Sequence, residues 1–370
     1  MVRVRILMVT PWFPTLANPV AGVFVARDAA LLAEVHDVHV IHLVDPTLLA
    51  DGEDISADHP FTLERVPWSR SSVRDTLSAG KRLRSSMADA DVLHTHAFQA
   101  LLPLAARKVT VPWVHSEHWS GIGDPDSLSQ RGRAVLRATG GFLRRPDVVT
   151  AVSSHLSERI RTFRSGPIRI VPSVVSPVTA LVAPPDDAHL IRLVAVGNLV
   201  DGKDPLLALA TVQRLKEQGQ EASLVWIGDG PLRSALESES AHSTALTLTG
   251  RQDAHGVARE LDRADIFILP TRGETLCLAA LEAIAHGRPV VIGSRGGQRD
   301  YISPENGRLV TDRTPDAYAR AILDLWASKR SRTPESIAAT IRDDYSPEAV
   351  LRGYTDAYRE AVSIRGDSSR

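Results

Sequence analysis

Cysteine is nearly absent. Cys277 stands alone in 370 residues, which excludes an internal disulfide and any cysteine-rich zinc site and fits a reducing, cytoplasmic location. No uninterrupted apolar run approaches the ~20 residues a membrane span requires, so the chain is not read as integral to a bilayer. Neither charge is in excess, with 43 Lys and Arg against 44 Asp and Glu; that balance offers no case for nucleic-acid binding. No G-x-G-x-x-G follows the first apolar run, which argues against a dinucleotide dehydrogenase. The opening MVRVRILMVTPWFP has a run of strand length only, is broken by Pro11 and Pro14, and shows no small-residue cleavage site. It reads as a first strand, not a signal.

What is present is 43% hydrophobic residues in a chain too long for one compact core, so two domains are expected. The first half alternates β-branched runs (VRILMVT, DVHVIHLV, DVLHTH, VPWVHSE, DVVTAVS, IRIVPSV) with helical stretches such as VFVARDAALLAEV. That alternation predicts a parallel sheet covered by helices. Between Pro172 and Asp187, prolines 172, 177, 184 and 185 among small residues predict an extended connector. A second series runs from IRLVAVG through ASLVWIG, TLTLTG, DIFILP and PVVIG. Ser346, Pro347 and Glu348 then mark a helix start that runs to about Val362. The expected division is therefore 1–180, 188–345 and a closing segment 346–370: an α/β protein of two Rossmann-like βαβ domains.

Glu274 and Glu282, in PTRGETLCLAALEAIAHGRPVV, lie where a strand hands over to a helix. Ile266 to Leu269 is apolar, Pro270 ends it, and from about Leu276 Ala and Leu recur at helical spacing until Gly287 and Pro289. Glu274 falls on the turn and Glu282 inside the helix. Treated as one helix with roughly 1.5 Å rise per residue, the spacing is about 12 Å. Free N–H groups and the helix dipole between them suit a diphosphate, while carboxylates accept hydrogen bonds from hydroxyls. The alternative is a surface helix with two solvated glutamates.

The stretch ADIFILPTRGETLCLAALEAIAHGRPVVIGSRGGQRDYI resembles the signature of retaining glycosyltransferase family 4. The glycine-rich pieces LVAVGNLVDGKDPLLAL, VWIGDGPLRSALE and LTGRQD occur in the order such enzymes place them. The resemblance implies the two-domain GT-B fold facing a central cleft, with the C-terminal helix crossing back to the N-terminal domain. It also implies transfer of a hexosyl group from a UDP- or GDP-linked sugar to a hydroxyl acceptor. By the same resemblance Lys203 reaches the donor phosphates, where a compact ammonium neutralises charge on a departing pyrophosphate. Glu282 holds the ribose, Glu274 the donor sugar, and Thr275, Leu276, Cys277, Leu278 and Arg251 line the donor site. Two departures stand out. Asn198 replaces a usual arginine, and Cys277 and Leu278 stand where a smaller, glycine-bearing turn is usual, which narrows the pocket. Cys277 as a nucleophile finds no activating histidine nearby.

In the first half, Gly22 precedes a helix and, by resemblance, brings a backbone amide to the donor phosphate; a plain turn glycine is the alternative. His118 matches a sugar-contacting histidine, with His115 as fallback and Glu117 as a group that orients its ring or contacts an acceptor. His94 and His96 alternate on one strand face, and without a His-x3-His on a helix a metal reading is the weaker one. No metal and no cofactor are expected, since Lys203 and amides stand in for a cation. Leu128 to Arg145 alternates arginines with Leu, Val and Phe, as a helix lying on anionic lipid does, or as one with a solvated face. That pattern fits peripheral contact with the inner face of a membrane and a lipid-linked, polysaccharide or small-molecule acceptor. Two rivals keep the fold: a sugar-nucleotide epimerase, and a non-catalytic nucleotide-sugar binder suggested by Asn198 and Cys277.

Overall fold

The structure is a computed structural model that describes residues 3–49, 59–185, 187, 189–240 and 245–367. The chain divides into two compact units, one of residues 1–174 with 347–370, the other of residues 175–346.

The first unit is built on seven parallel strands: β1 (Arg5–Thr10), β2 (Asp37–Val44), β3 (Thr62–Pro67), β4 (Val92–His96), β5 (Trp113–Glu117), β6 (Val148–Ala151) and β7 (Ile168–Ile170). Their order is β3-β2-β1-β4-β5-β6-β7. β4, β5 and β6 are buried along their whole length, as strands covered on both faces must be. This explains why β1 and β6 read as nearly continuous apolar runs. The Val23–Ala33 helix buries Val25, Ala29, Leu31 and Leu32 against the sheet. The closing helix, Pro347–Asp367, packs on the same unit. Tyr354 and Tyr358 are buried there: Tyr354 donates to Asp28 Oδ2 at 2.8 Å, and the Tyr358 hydroxyl meets His94 Nδ1 at 2.8 Å. Arg365 grips Asp147 at 2.9 and 2.7 Å.

The second unit has six parallel strands: β8 (Leu190–Val196), β9 (Glu221–Ile227), β10 (Leu246–Gly250), β11 (Ile266–Leu269), β12 (Val290–Gly293) and β13 (Gly307–Val310). They are ordered β10-β9-β8-β11-β12-β13. β11, at the sheet centre, and β12 beside it are fully buried. The helix expected after β11 runs from Leu278 to Ala285, so Glu274 to Cys277 are not helical. The helical rise does not apply to them, and the 12 Å spacing inferred for Glu274 and Glu282 does not carry over. Among the described residues, no helix is long and apolar enough to cross a membrane.

Candidate functional site

In each sheet the strand order reverses about one point, between β1 and β4 in the first unit and between β8 and β11 in the second. At such a point the loops leaving two neighbouring strands depart to opposite faces and open a crevice beyond their carboxyl ends.

In the second unit β8 leads into the Gly197–Asp204 segment, whose turn is closed by Lys203 N–H to Val200 O at 2.9 Å, and β11 leads into Pro270–Glu274. These segments put Lys203 beside Glu274. The ammonium donates to Glu274 Oε1 at 2.5 Å, and Thr271 Oγ1 donates to the same oxygen at 2.7 Å. Glu274 is 12% exposed and Lys203 27%, so solvent screens the pair only in part. Burial works against the lysine charge, but the neighbouring carboxylate outweighs it and the ammonium pKa is raised. The backbone of Glu274 is pinned as well, bridging to Gly296, donating to Arg295 O at 3.2 Å and accepting from Gly297 N at 3.0 Å. Gly296 has φ 123°, and a Cβ there would lie 2.0 Å from Glu274 O. Only glycine permits that approach.

Four residues after Glu274 the Leu278–Ala285 helix opens. Its N-cap is Cys277, left-handed at φ 68°, and no side chain caps it. The first-turn amides are therefore free of side-chain competition for an anion. The Tyr301 hydroxyl fixes this turn by donating to Leu276 O at 2.8 Å and Cys277 O at 3.2 Å. Leu276 and Cys277 are buried, while Thr275, Leu278 and Glu282 are half-buried. Burial pushes the Cys277 thiol up to about 12, the reverse of what a nucleophile needs. Asn198 and Arg251 are exposed at the ends of β8 and β10.

Three supports here went unread in the sequence. Thr271 orients Glu274. Asp204, at φ 51°, caps the Pro205–Glu217 helix through Leu207 N at 3.3 Å and pairs with Arg313. Arg313 in turn donates to Pro270 O and Thr271 O at 2.9 Å each, stitching the two loops together. Asp204 before Pro205 carried a readable N-cap signal. Arg313 carried none.

In the first unit His118 lies just beyond β5, and its ring stands 4.7 Å from that of Phe24, two residues past Gly22. Gly22 has φ 65°, and a Cβ there would sit 2.3 Å from the Trp12 carbonyl; backbone geometry by itself demands glycine. Burial holds the His118 imidazole uncharged, its pKa lowered to about 3. His118 Nε2 faces His96 Nδ1 at 3.4 Å, and the His94 and His96 rings are 4.1 Å apart on one face of β4. The fallback does not hold: His115 is fully buried, bound to Thr95 Oγ1 at 2.9 Å and Glu117 Oε2 at 3.2 Å. Glu117 does not orient the His118 ring either. Its Oε1 accepts from the backbone N–H of His118 and Trp119, both at 2.8 Å, closing the strand end.

The arginine-rich segment forms a helix at Gln130–Thr139, capped by Ser129, with Leu136 buried. Arg131 and Arg137 are exposed beside Val135, but Arg133 folds back to donate to Leu128 O at 2.7 Å. A separate concavity of about 500 Å³ lies at the amino ends of β1 and β2, beside Arg3, Arg5, His36 and His39. Its arginines are paired, Arg3 with Asp37 and Arg5 with Asp91, and it lies at the opposite end of the sheet from His118.

Residues 191–328 match the family described as glycosyl transferases group 1, and residues 21–178 match Glycosyltransferase Family 4. The chain belongs to the group 1 glycosyltransferases, enzymes of GT-B fold. A GDP-mannose-dependent phosphatidylinositol dimannoside mannosyltransferase of Mycobacterium tuberculosis is 35% identical over 36% of this chain. That match spans about a third of the relative's length, 34%. A glycogen synthase of the same species is 26% identical over 91% of this chain and 88% of its own. Among solved structures, sucrose-phosphate synthase from Thermosynechococcus elongatus superposes with a TM-score of 0.77 at 19% identity, covering 98% of this chain and 100% of that one. An Anabaena protein solved with UDP and glucose gives 0.74 at 14% identity, covering 96% and 100%. These likenesses establish two Rossmann-like domains of GT-B type.

Proposed function

We propose that this protein transfers a hexosyl group from a nucleoside diphosphate sugar to a hydroxyl acceptor, with retention at the anomeric carbon. The observation that carries the reading is the Lys203–Glu274 pair beside the mouth of the Leu278–Ala285 helix. A diphosphate leaving group needs positive charge at the bridging oxygen as the glycosidic bond breaks, and a held ammonium with uncapped amides supplies it without reorganisation. Glu274 accepts hydrogen bonds from donor-sugar hydroxyls. Glu282, one helical stretch further on, takes the ribose hydroxyls, and His118 offers an uncharged imidazole to a sugar hydroxyl. The leaving phosphate accepts the acceptor's proton, so no protein base is required. No metal is assigned to the diphosphate, because Lys203 and the amides take that role. Relatives named for GDP-mannose and glycogen synthesis support a nucleoside diphosphate donor.

The acceptor side of the reading is a hydroxyl presented by a lipid, a polysaccharide or a small molecule. The exposed Arg131, Val135 and Arg137 support peripheral contact with an anionic lipid surface on the cytoplasmic side. Screening UDP- and GDP-sugars by thermal shift identifies the donor, since ligand at a hundred times its dissociation constant adds about 2.7 kcal/mol of stability. Product analysis by NMR then follows transfer. Acceptor-dependent product with a retained anomeric configuration is expected, unaffected by EDTA; conversion of donor without acceptor would show an epimerase, and binding with no turnover would show a non-catalytic protein.

A further inference from the structure

Arg313 has no part in the transfer reaction as proposed above, yet it is bonded to both of the segments that carry the reacting charges. It follows β13 and precedes the Pro315–Ala327 helix, and its side chain is 33% exposed. Nη1 donates to Pro270 O and Thr271 O at 2.9 Å each, while Nη2 donates to Asp204 Oδ2. The two carbonyls belong to the segment that ends in Glu274, and Asp204 directly follows Lys203. A planar fork with fixed donor directions holds such a set of acceptors at one spacing.

Around this fork the two segments touch again. Arg272 N donates to Gly202 O at 2.8 Å, Arg272 Nε to Asp201 O at 3.0 Å, and Thr271 Oγ1 to Gly202 O at 3.1 Å. Asp204 is left-handed at φ 51°, a conformation uncommon outside glycine and sustained by its surroundings. Its carboxylate is engaged on both oxygens: Oδ1 accepts from Leu207 N at 3.3 Å, opening the Pro205–Glu217 helix, and Oδ2 takes Arg313. Any rotation of Asp204 carries the preceding Lys203 with it.

We infer that Arg313 is a positioning residue for sugar transfer: with Asp204 it braces the two segments so that the Lys203 ammonium stands against Glu274 where the departing diphosphate meets the donor sugar. The inference rests on the reading of Lys203 and Glu274 given above and adds to it a group that acts only through them. A charge that must meet a leaving group as its bond breaks is sensitive to small displacements, so the loss falls on the transition state more than on donor binding. Lysine is no substitute for the fork, since a single ammonium cannot serve acceptors on two segments with the same fixed geometry.

The test uses the full-length protein and the release of GDP from GDP-mannose or of UDP from UDP-glucose. Arg313→Ala is expected to lower kcat by about 10–100-fold while KM for the donor moves by less than about threefold, the signature of a contribution made in the transition state. Arg313→Lys should be as slow; full recovery would mean that charge alone suffices and would overturn the brace. Asp204→Gly keeps the left-handed backbone and the helix start at little cost, and combined with Arg313→Ala it should be no slower than the slower single variant, as expected of residues that act as a unit. Losses that multiply would overturn the pairing. Arg308→Ala, which removes an arginine of β13 paired with Asp324, is the control and should leave kcat unchanged. Hydrogen exchange followed by mass spectrometry reads the brace without turnover: in Arg313→Ala the amides of 200–204 and 270–274 should exchange faster together while those of β9 and β10 do not change, and unaltered exchange in both segments would overturn it. Circular dichroism establishes folding; where Arg313→Ala is not folded, Arg313→Lys and Asp204→Gly decide. Full activity of Arg313→Ala in a protein that Lys203→Ala inactivates would overturn this inference and leave the reading of the site standing, whereas full activity of Lys203→Ala would remove that reading and the inference with it.

Discussion

Beyond β8 and β11 the second unit presents charge: an ammonium and a carboxylate 2.5 Å apart, with uncapped helix amides beside them. Beyond β4 and β5 the first unit presents neutral rings, His94, His96 and His118, kept uncharged by burial. Both regions are carboxyl ends of open parallel sheets at or near a reversal of strand order, so topology alone does not account for the difference. The cause is what leaves each strand. Glycine-rich turns after β8 let a lysine stem and a backbone come close to Glu274, whereas His94 and His96 lie on the fully buried β4 and His118 directly follows the fully buried β5. A charged cluster and an uncharged one thus arise from one architecture, through the exposure each unit grants its polar groups.

The contrast is broken most severely at its charged end. Glu274→Ala is expected to lower kcat/KM for transfer by about 10²–10³, the scale of losing one stabilising group in a water-poor site. Near wild-type turnover in this variant would remove Glu274 from the site. Lys203→Ala should follow closely. Because the Lys203 pKa is raised, its charge is present throughout the neutral range and lost only as pH rises past the ordinary lysine value. A pH–rate profile that fell between 7 and about 9 through this group would contradict the pairing.

Gly296→Ala sharpens the comparison, since a Cβ must displace Glu274 O. Activity is expected to fall by about tenfold or more, on the view that small misplacements of reacting groups are costly, with the fold retained by circular dichroism. In the first unit the effect shifts from rate to stability. Tyr354→Phe strips Asp28 Oδ2 of its donor and is expected to cost about 1–3 kcal/mol in urea unfolding.

The pH dependence there has a definite sign. The Asp28 pKa is raised from 3.8 to about 7 in the fold, so its protonated form contributes stability fully below about pH 4, and that contribution is lost as pH rises through 7. The stability difference between wild type and Asp28→Asn should therefore fall from pH 5 to pH 8. The smallest effect is expected at Cys277. Its buried thiol, pushed up to about 12, should react with iodoacetamide far more slowly than a free thiol, and full labelling within minutes would show that the turn opens.

Much of the fold was legible in the residues. Apolar runs of strand length alternating with helical periodicity gave two parallel sheets, because strands buried on both faces leave little room for polar positions. Glu274 on a turn and Glu282 in a helix followed from Pro270, Gly287 and Pro289. The ring-orienting role expected of Glu117 fails for a physical reason. Strand alternation says which face a side chain takes, not whether a backbone amide two residues on will claim its carboxylate, and Glu117 serves the amides of His118 and Trp119.

By itself the sequence determined the elements, the two-domain class and the presence of a lysine, two glutamates and clustered histidines near strand ends, all properties of local pattern and composition. Only the tertiary structure decided which of them meet. Lys203 and Glu274 are 71 residues apart, Arg313 reaches Asp204 from another strand's loop, and Asp28 joins His96 and His118 from a helix. Parallel strands pair across long connections, so neighbours in space are set by sheet order and register, which no local periodicity encodes.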